Sequence, residues 1–312
     1  MISNFGYKIV STKPENLFPD YLDLPKYLTN LENAQVVILS IPYESSTTYG
    51  KGTKNGPKAI LEASQHIETY DEELEIEPCQ MGISTQMPFD SLDPVPEKSI
   101  MQITEACENF LKQNKFVVSL GGEHTVTVGV IQAFKKYFPN MWVLQLDAHS
   151  DLRDSYMNSP LNHACVMARV AELCPYIGLG IRSSIPDERE LLKAPSKIFY
   201  AFEMTQNPSW PDQALAQLGD LVYITIDLDF FDPSVVSAVG TPEPGGFQWY
   251  ETLRFLKRVA ETKRIIGFDV VELSTKPNFV VSDFFAAKLI YKLLGYIFQD
   301  KIKNSTKKNL DY

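Results

Sequence analysis

The sequence has no apolar segment approaching the roughly 20 residues needed to cross a bilayer, so a membrane-spanning role is not expected. Its first residues, Met1-Ile2-Ser3-Asn4-Phe5-Gly6-Tyr7-Lys8, lack the basic start and apolar core of a secretory signal. A cytoplasmic location is expected by default. Cysteine is scarce: Cys79, Cys107, Cys165 and Cys174 form no Cys-x-x-Cys pair. That excludes a zinc-finger pattern or a disulfide framework and leaves them as small buried hydrophobes in a reducing compartment. Basic charge is in deficit, with 29 Lys and Arg against 39 Asp and Glu, a formal net charge of −10. A nucleic-acid partner would want a basic stripe, so none is expected. The acidic balance suits a cationic ligand and serves solubility equally well. There are only 4 histidines, so where they fall carries weight.

What is there is an ordinary globular composition, 44% hydrophobic and 22% charged over 312 residues. Residues 1–33, with Pro14, Pro19 and Pro25 spread among charges, read as an N-terminal arm over the surface. From residue 34 apolar runs alternate with amphipathic ones. Strands are expected at 34–40, 116–120, 141–147, 176–181, 197–200, 221–228 and 264–270. Helices are expected at 57–64, 98–113, 124–136, 163–173, 187–193, 211–218, 248–262 and 283–298. This rhythm implies right-handed crossovers and an α/β fold, a parallel sheet with helices on both faces. Residues 68–77, rich in Asp and Glu, read as a solvated acidic face, and 300–312, rich in Lys and Asn, as a frayed tail. No linker divides the chain, so 34–299 is expected to be one domain.

Three apolar runs end in metal-type ligands. Phe116–Leu120 leads into Gly121-Gly122-Glu123-His124. Met141–Leu146 leads into Asp147-Ala148-His149-Ser150-Asp151, and Tyr223–Ile226 into Asp227-Leu228-Asp229. In an extended chain alternate side chains share a face, so Asp147, His149 and Asp151 converge if that geometry persists. Each signal alone is weak, since an Asp-x-Asp at a strand end is usually a cap or turn. Together, His124, Asp147, His149, Asp151, Asp227 and Asp229 are too many for one zinc ion and too anionic to sit together without cations. Two divalent metals sharing carboxylates resolve both problems, and a mixed imidazole and carboxylate set suits Mn²⁺. Asp232-Pro233 reads as a turn, and the rigid loop 240–246 either walls a site or merely connects two elements.

These residues resemble the ureohydrolase family of arginase, agmatinase and their relatives. The resemblance extends to Asp227-Leu228-Asp229-Phe230-Phe231-Asp232-Pro233, Gly56-Pro57-Lys58-Ala59-Ile60, Gly240-Thr241-Pro242-Glu243-Pro244-Gly245-Gly246 and Gly267-Phe268-Asp269-Val270-Val271-Glu272, in order along residues 34–298. It implies an arginase-like three-layer α-β-α sandwich around an eight-stranded parallel sheet, with a binuclear manganese site. His124, Asp147, Asp151 and Asp227 would hold one ion; Asp147, His149, Asp227 and Asp229 would hold the other. The resemblance further gives Asp151 a proton-transfer role. It makes Glu272 the partner of the guanidinium and His163, at the start of the 163–173 helix, a relay between site and solvent. His66 falls outside every motif and is expected to be surface or packing.

The reaction implied is hydrolysis of a guanidino compound to urea and an amine. Leu161-Asn162-His163-Ala164-Cys165 departs from the Gly-Asn-x-His-Gly pattern of arginases and looks like the agmatinase branch, which points first to agmatine and putrescine. Aminopropylagmatine, guanidinobutyrate, guanidine and arginine stay open, some relatives using Ni²⁺. Arg153 could meet a substrate carboxylate or pair with Asp154 or another acid; Tyr156, Met157 and Phe231 could line a longer channel. Relatives form trimers or hexamers, so a homo-oligomer is implied. Two other readings remain: a non-catalytic binding or assembly subunit of the same fold, and a deacetylase-type hydrolase with a single zinc. The full ligand set weighs against the first, Asp227, Asp229 and Glu272 against the second.

Overall fold

A computed structural model describes residues 18–89 and 91–310. The expected arm's residues 1–17 and the tail's 311 and 312 therefore lie outside the described residues. The strands are β1 Val36–Ile41, β2 Ile83–Gln86, β3 Phe116–Gly121, β4 Trp142–Leu146, β5 Tyr176–Ile181, β6 Lys197–Tyr200, β7 Leu221–Asp227 and β8 Arg264–Val271. They form one sheet in the order β2-β1-β3-β8-β7-β4-β5-β6, and every neighbouring pair is parallel. Every residue of β1 and of β5 is buried, the pattern of a sheet covered on both faces.

The helices are α1 Lys26–Thr29, α2 Gly56–Ser64, α3 Pro96–Leu111, α4 Val126–Tyr137, α5 Val166–Leu173, α6 Pro186–Leu191, α7 Ala201–Gln206, α8 Trp210–Gln217, α9 Trp249–Thr262 and α10 Val281–Leu310. One core joins the sheet to α2, α8, α9 and α10 through Ile60, Leu215, Leu256 and Ile290. A second, on the opposite face, joins it to α3, α4 and α5 through Ile103, Ile131 and Val170. These are the three expected layers. No helix among the described residues is long and apolar enough to cross a membrane. All four cysteines are buried and free.

The structure adds what local pattern did not show. β2 is a four-residue edge strand held by its register with β1, Val36 opposite Ile83, and its own sequence has almost no apolar alternation. α1, of four residues, and α7, of six, are short as well. α10 does not stop near residue 298 but runs to Leu310, and Ile302 is still in the core. The described part of the arm docks rather than only covering: Tyr21 is fully buried and its hydroxyl donates to the Ala287 carbonyl at 2.7 Å. The acidic segment is only partly solvated, because Asp71 is buried and accepts from Lys292 Nζ at 3.0 Å.

The sheet order places the site. The chain leaves β3 and next enters the sheet at β4, three places away, and β7 and β8 later fill the gap. Four neighbouring strands, β3, β8, β7 and β4, thus present their C-terminal ends side by side, where ligands bind in open α/β sheets.

Candidate metal centre

Each strand end delivers its side chains by a local device. After β3, Gly122 passes so close to Tyr43 that a Cβ there would lie 2.0 Å from the Tyr43 carbonyl oxygen; only glycine fits. The next amide, Glu123 N–H, donates to that oxygen at 2.8 Å, which aims Glu123 and His124 inward. After β4, the Asp147 carboxylate accepts the His149 N–H at 2.6 Å. The expected extended run does not persist to Asp151, whose backbone is left-handed at φ 51°. Its carbonyl accepts the Met167 and Ala168 N–H groups at 2.9 and 3.2 Å, so α5 holds the turn that brings Asp151 back to the cluster. After β7, a single 3₁₀ turn Leu228–Phe230 lifts Asp229, whose N–H donates to Asp227 Oδ1 at 2.9 Å. After β8, Glu272 is also left-handed, at φ 65°, and its N–H donates to the Gly122 carbonyl at 2.8 Å. Strain of this kind gathers where side-chain placement matters more than backbone comfort.

The six residues converge. His124 Nδ1 lies 3.3 Å from Asp147 Oδ2, 3.1 Å from Asp151 Oδ2 and 3.4 Å from Asp227 Oδ2. His149 Nδ1 lies 2.8 Å from Asp229 Oδ2 and 3.8 Å from Asp147 Oδ1. Donor atoms of His124, Asp147 and Asp151 all fall within 4.8 Å of one another, as do those of Asp147, His149 and Asp229. Asp147 belongs to both sets; Asp227 faces the His124 side.

Crowding marks the titration of these groups. Burial, then Asp151 and Asp229, pushes Asp147 up to about 7. Burial, then Asp229 and Asp147, raises Asp227 well above the carboxylate range. Burial alone would lower His124, but Asp147, Asp151 and Asp227 outweigh it and raise it. Burial opposes His149 likewise, yet Asp229 carries it up to about 11; Asp229, against its own burial, is lowered by that imidazole. Two imidazoles cannot neutralise four buried carboxylates.

The donor set fits divalent cations. His124 Nε2 lies 2.9 Å from Thr225 Oγ1, and that hydroxyl spends its one proton on Asp269 Oδ1 at 2.6 Å. His124 therefore donates from Nε2, and its Nδ1 is buried without a hydrogen-bond partner. Three carboxylate oxygens 3.1 to 3.4 Å from that nitrogen require positive charge among them, a proton on the free ring or a divalent cation in its place. The Thr225–Asp269 pair behind the ring is the outer-shell arrangement that orients a metal-binding histidine.

A cleft of about 260 Å³ opens over the cluster, lined by Thr47, Tyr49, Arg153, Tyr156, His163, Thr241, Glu243 and Glu272 among others. Glu272 Oε1 accepts the His124 N–H at 2.6 Å, while burial and then Glu123 raise its carboxyl well above the usual range. Burial lowers His163, which Asp151 and Glu123 only partly offset.

Loop 240–246 does wall the cleft. Arg182 donates to the carbonyls of Asp229 (2.6 Å), Glu243 (2.8 Å) and Pro244 (3.1 Å), and Asp232, in its turn, accepts from Gly245 N–H at 2.9 Å. Arg153 does not pair with Asp154, which goes to Arg169. It stacks over Tyr156, 4.5 Å from the ring centroid, and meets Glu188 at 3.4 Å. Phe231 is buried against Phe230 and Phe285 and, like Met157, does not line the cleft. His66 is exposed and apart from the site. Sequence reasoning passed over Ser46, Arg182 and the role of Glu123. A Ser in a polar loop and an Arg after a strand carry no local signal; Glu123 stood inside a motif beside a histidine that drew the attention.

Comparison with known proteins agrees with this geometry. The arginase family pattern matches residues 34–295. A Synechocystis sp. protein named N(1)-aminopropylagmatine ureohydrolase is 44% identical, covering 86% of this chain and 91% of its own. A Pyrococcus horikoshii agmatinase is 30% identical over 88% and 95%. The crystal structure of agmatine ureohydrolase from Thermoplasma volcanium superposes with a TM-score of 0.77 at 29% identity, covering 87% and 92%. With its parallel sheet, its strand-end cluster and this match, the chain belongs to the arginase family.

Proposed function

We infer that this protein is a binuclear-metal hydrolase that cleaves a guanidino compound to urea and an amine. The observation that carries the reading is Asp147, shared between two donor sets, beside a buried imidazole nitrogen with no hydrogen-bond partner. His124, Asp147, Asp151 and Asp227 would hold one ion and Asp147, His149, Asp227 and Asp229 the other, with Mn²⁺ suited to the donors and Ni²⁺ the alternative. When bound, such a pair of cations would supply Lewis acidity, lowering the pKa of water there towards about 7 so that a nucleophile is available at neutral pH.

The protein's own residues do the rest. Glu272 offers a carboxylate to the planar guanidinium, a charge-assisted contact that orients the central carbon. Asp151 takes the proton of the attacking water at its carboxylate and returns it to the departing nitrogen. His163, on the cleft wall, exchanges protons with solvent. Glu243 also faces the cleft and suits an ammonium on the substrate's tail.

That tail sets the substrate. Agmatine stands first on the motifs, but the 44% relative named for aminopropylagmatine supports the longer guanidino-polyamine, which we place first. Agmatine is the second reading, supported by the Pyrococcus relative. A homo-oligomer, trimer or hexamer, is part of the proposal and is checked by light scattering. The deciding experiment is urea release from aminopropylagmatine, agmatine, guanidinobutyrate, guanidine and arginine, with Mn²⁺ and Ni²⁺ in separate runs. Turnover of aminopropylagmatine or agmatine is expected. A metal-loaded chain that releases urea from none of them would overturn the reading and favour a binding or assembly subunit.

A further inference from the structure

A chain of hydrogen bonds behind His163 has a direction that its acceptors set. Ser46 Oγ lies 3.0 Å from His163 Nδ1 and accepts the His163 backbone N–H at 3.0 Å. The same hydroxyl donates to Glu123 Oε1 at 2.8 Å. Glu123 is fully buried and both its oxygens are engaged as acceptors. Oε2 takes the Ser45 and Ser46 N–H groups at 2.6 and 2.7 Å; Oε1 also takes the Thr125 hydroxyl at 2.7 Å.

A serine hydroxyl has one proton to give. The carboxylate is the stronger acceptor, so that proton goes to Glu123. Ser46 then has only lone pairs left for the ring, and His163 Nδ1 must be the donor. Tyr156 stands edge-on to the imidazole at 6.0 Å and 87°, which opposes a ring flip. We propose that Glu123 and Ser46 are positioning residues. They fix His163 as the Nδ1–H tautomer and leave the Nε2 lone pair as the ring's proton acceptor on the cleft. Glu123 thereby ties the loop of Ser46 and the turn of His163 to the end of β3, where its neighbour His124 stands.

The kinetic arm of the test rests on the ureohydrolase reading; the tautomer itself does not. Full-length protein carrying ¹⁵N-histidine and a diamagnetic divalent cation is examined by long-range ¹H–¹⁵N correlation, with His163→Asn assigning the ring. Wild type is expected to show a protonated Nδ1 and an unprotonated Nε2. Ser46→Ala should shift the ring towards the Nε2–H form, and Ser46→Thr, which keeps the hydroxyl, should restore Nδ1–H. In urea release, Ser46→Ala should lower kcat by roughly ten- to a hundredfold with KM and metal content little changed, and Ser46→Thr should recover most of it. A wild-type ring protonated at Nε2, or a Ser46→Ala protein that keeps both Nδ1–H and wild-type kcat, overturns the proposal. If no guanidino compound is hydrolysed, the ureohydrolase reading fails while the spectrum still decides the tautomer.

Discussion

The acids around Asp71 and those at the strand ends are neutralised in opposite ways. Around Asp71 and Glu73 the chain supplies its own cations. Lys292 Nζ, itself buried, reaches Asp71 at 3.0 Å and Glu73 at 2.8 Å; Lys257 and Tyr296 complete the shell of Glu73 at 3.0 and 2.8 Å. Burial works against Glu73, yet the bonds from Lys292 and Lys257 carry it down to about 2. At the strand ends no lysine among the described residues enters. Asp147 is instead pushed up to about 7, and His124 turns a buried nitrogen with no hydrogen-bond partner on the carboxylates. The first cluster is finished by the sequence; the second is built to be finished by something else.

That contrast can be broken experimentally. Asp229→Asn should lower the occupancy of one metal and cut urea release by about 10³-fold, or ~4 kcal/mol; metal analysis showing two ions and near-normal turnover would remove Asp229 from the ligand set. Lys292→Met should cost about 3 kcal/mol of stability by stranding Asp71. Urea denaturation reads this, and added Mn²⁺ should not repair that difference, since the lysine has no part in metal binding. Wild type titrated with Mn²⁺ to about a hundred times its dissociation constant should gain ~2.7 kcal/mol, with chelator reversing it; a melting temperature indifferent to metal would mean the strand-end cluster needs no guest. Glu272→Gln should keep both metals and weaken guanidinium binding by about 2 kcal/mol, read as a raised KM.

The smallest effect concerns pH. Glu73 has a lowered folded pKa, so its contribution is present above the ordinary 4.5 and is lost as pH falls towards about 2. Because its carboxylate is partly exposed the size should stay below about 1 kcal/mol. Comparing denaturation of wild type and Glu73→Gln from pH 5 to 3 tests the sign, since only the wild type should weaken for this reason.

The sequence was legible where side chains act through local pattern. The central strands are long, apolar and periodic, and their ends carry rare ligand types in short spacings, so six converging residues could be named. What stayed hidden depends on partners far along the chain. β2 is a strand because β1 pairs with it, not because Ile83-Ser84-Thr85-Gln86 alternates. Asp71 looks solvated until Lys292, more than two hundred residues later, is folded over it. Asp151 arrives by a left-handed turn pinned by α5 amides, which no spacing rule describes. Ser46 lies in a polar loop whose meaning comes from Glu123 and His163.

The order in which the strands are laid down has a consequence for assembly. The middle of the sheet is made last, since β7 and β8 slot between β3 and β4. A nascent chain that has emerged only as far as Gly219 carries His124, Asp147, His149 and Asp151 but no shared seat for them. Capture of the proposed cations would therefore wait for β7 and β8, so that a polypeptide gripping two ions would already have closed its centre.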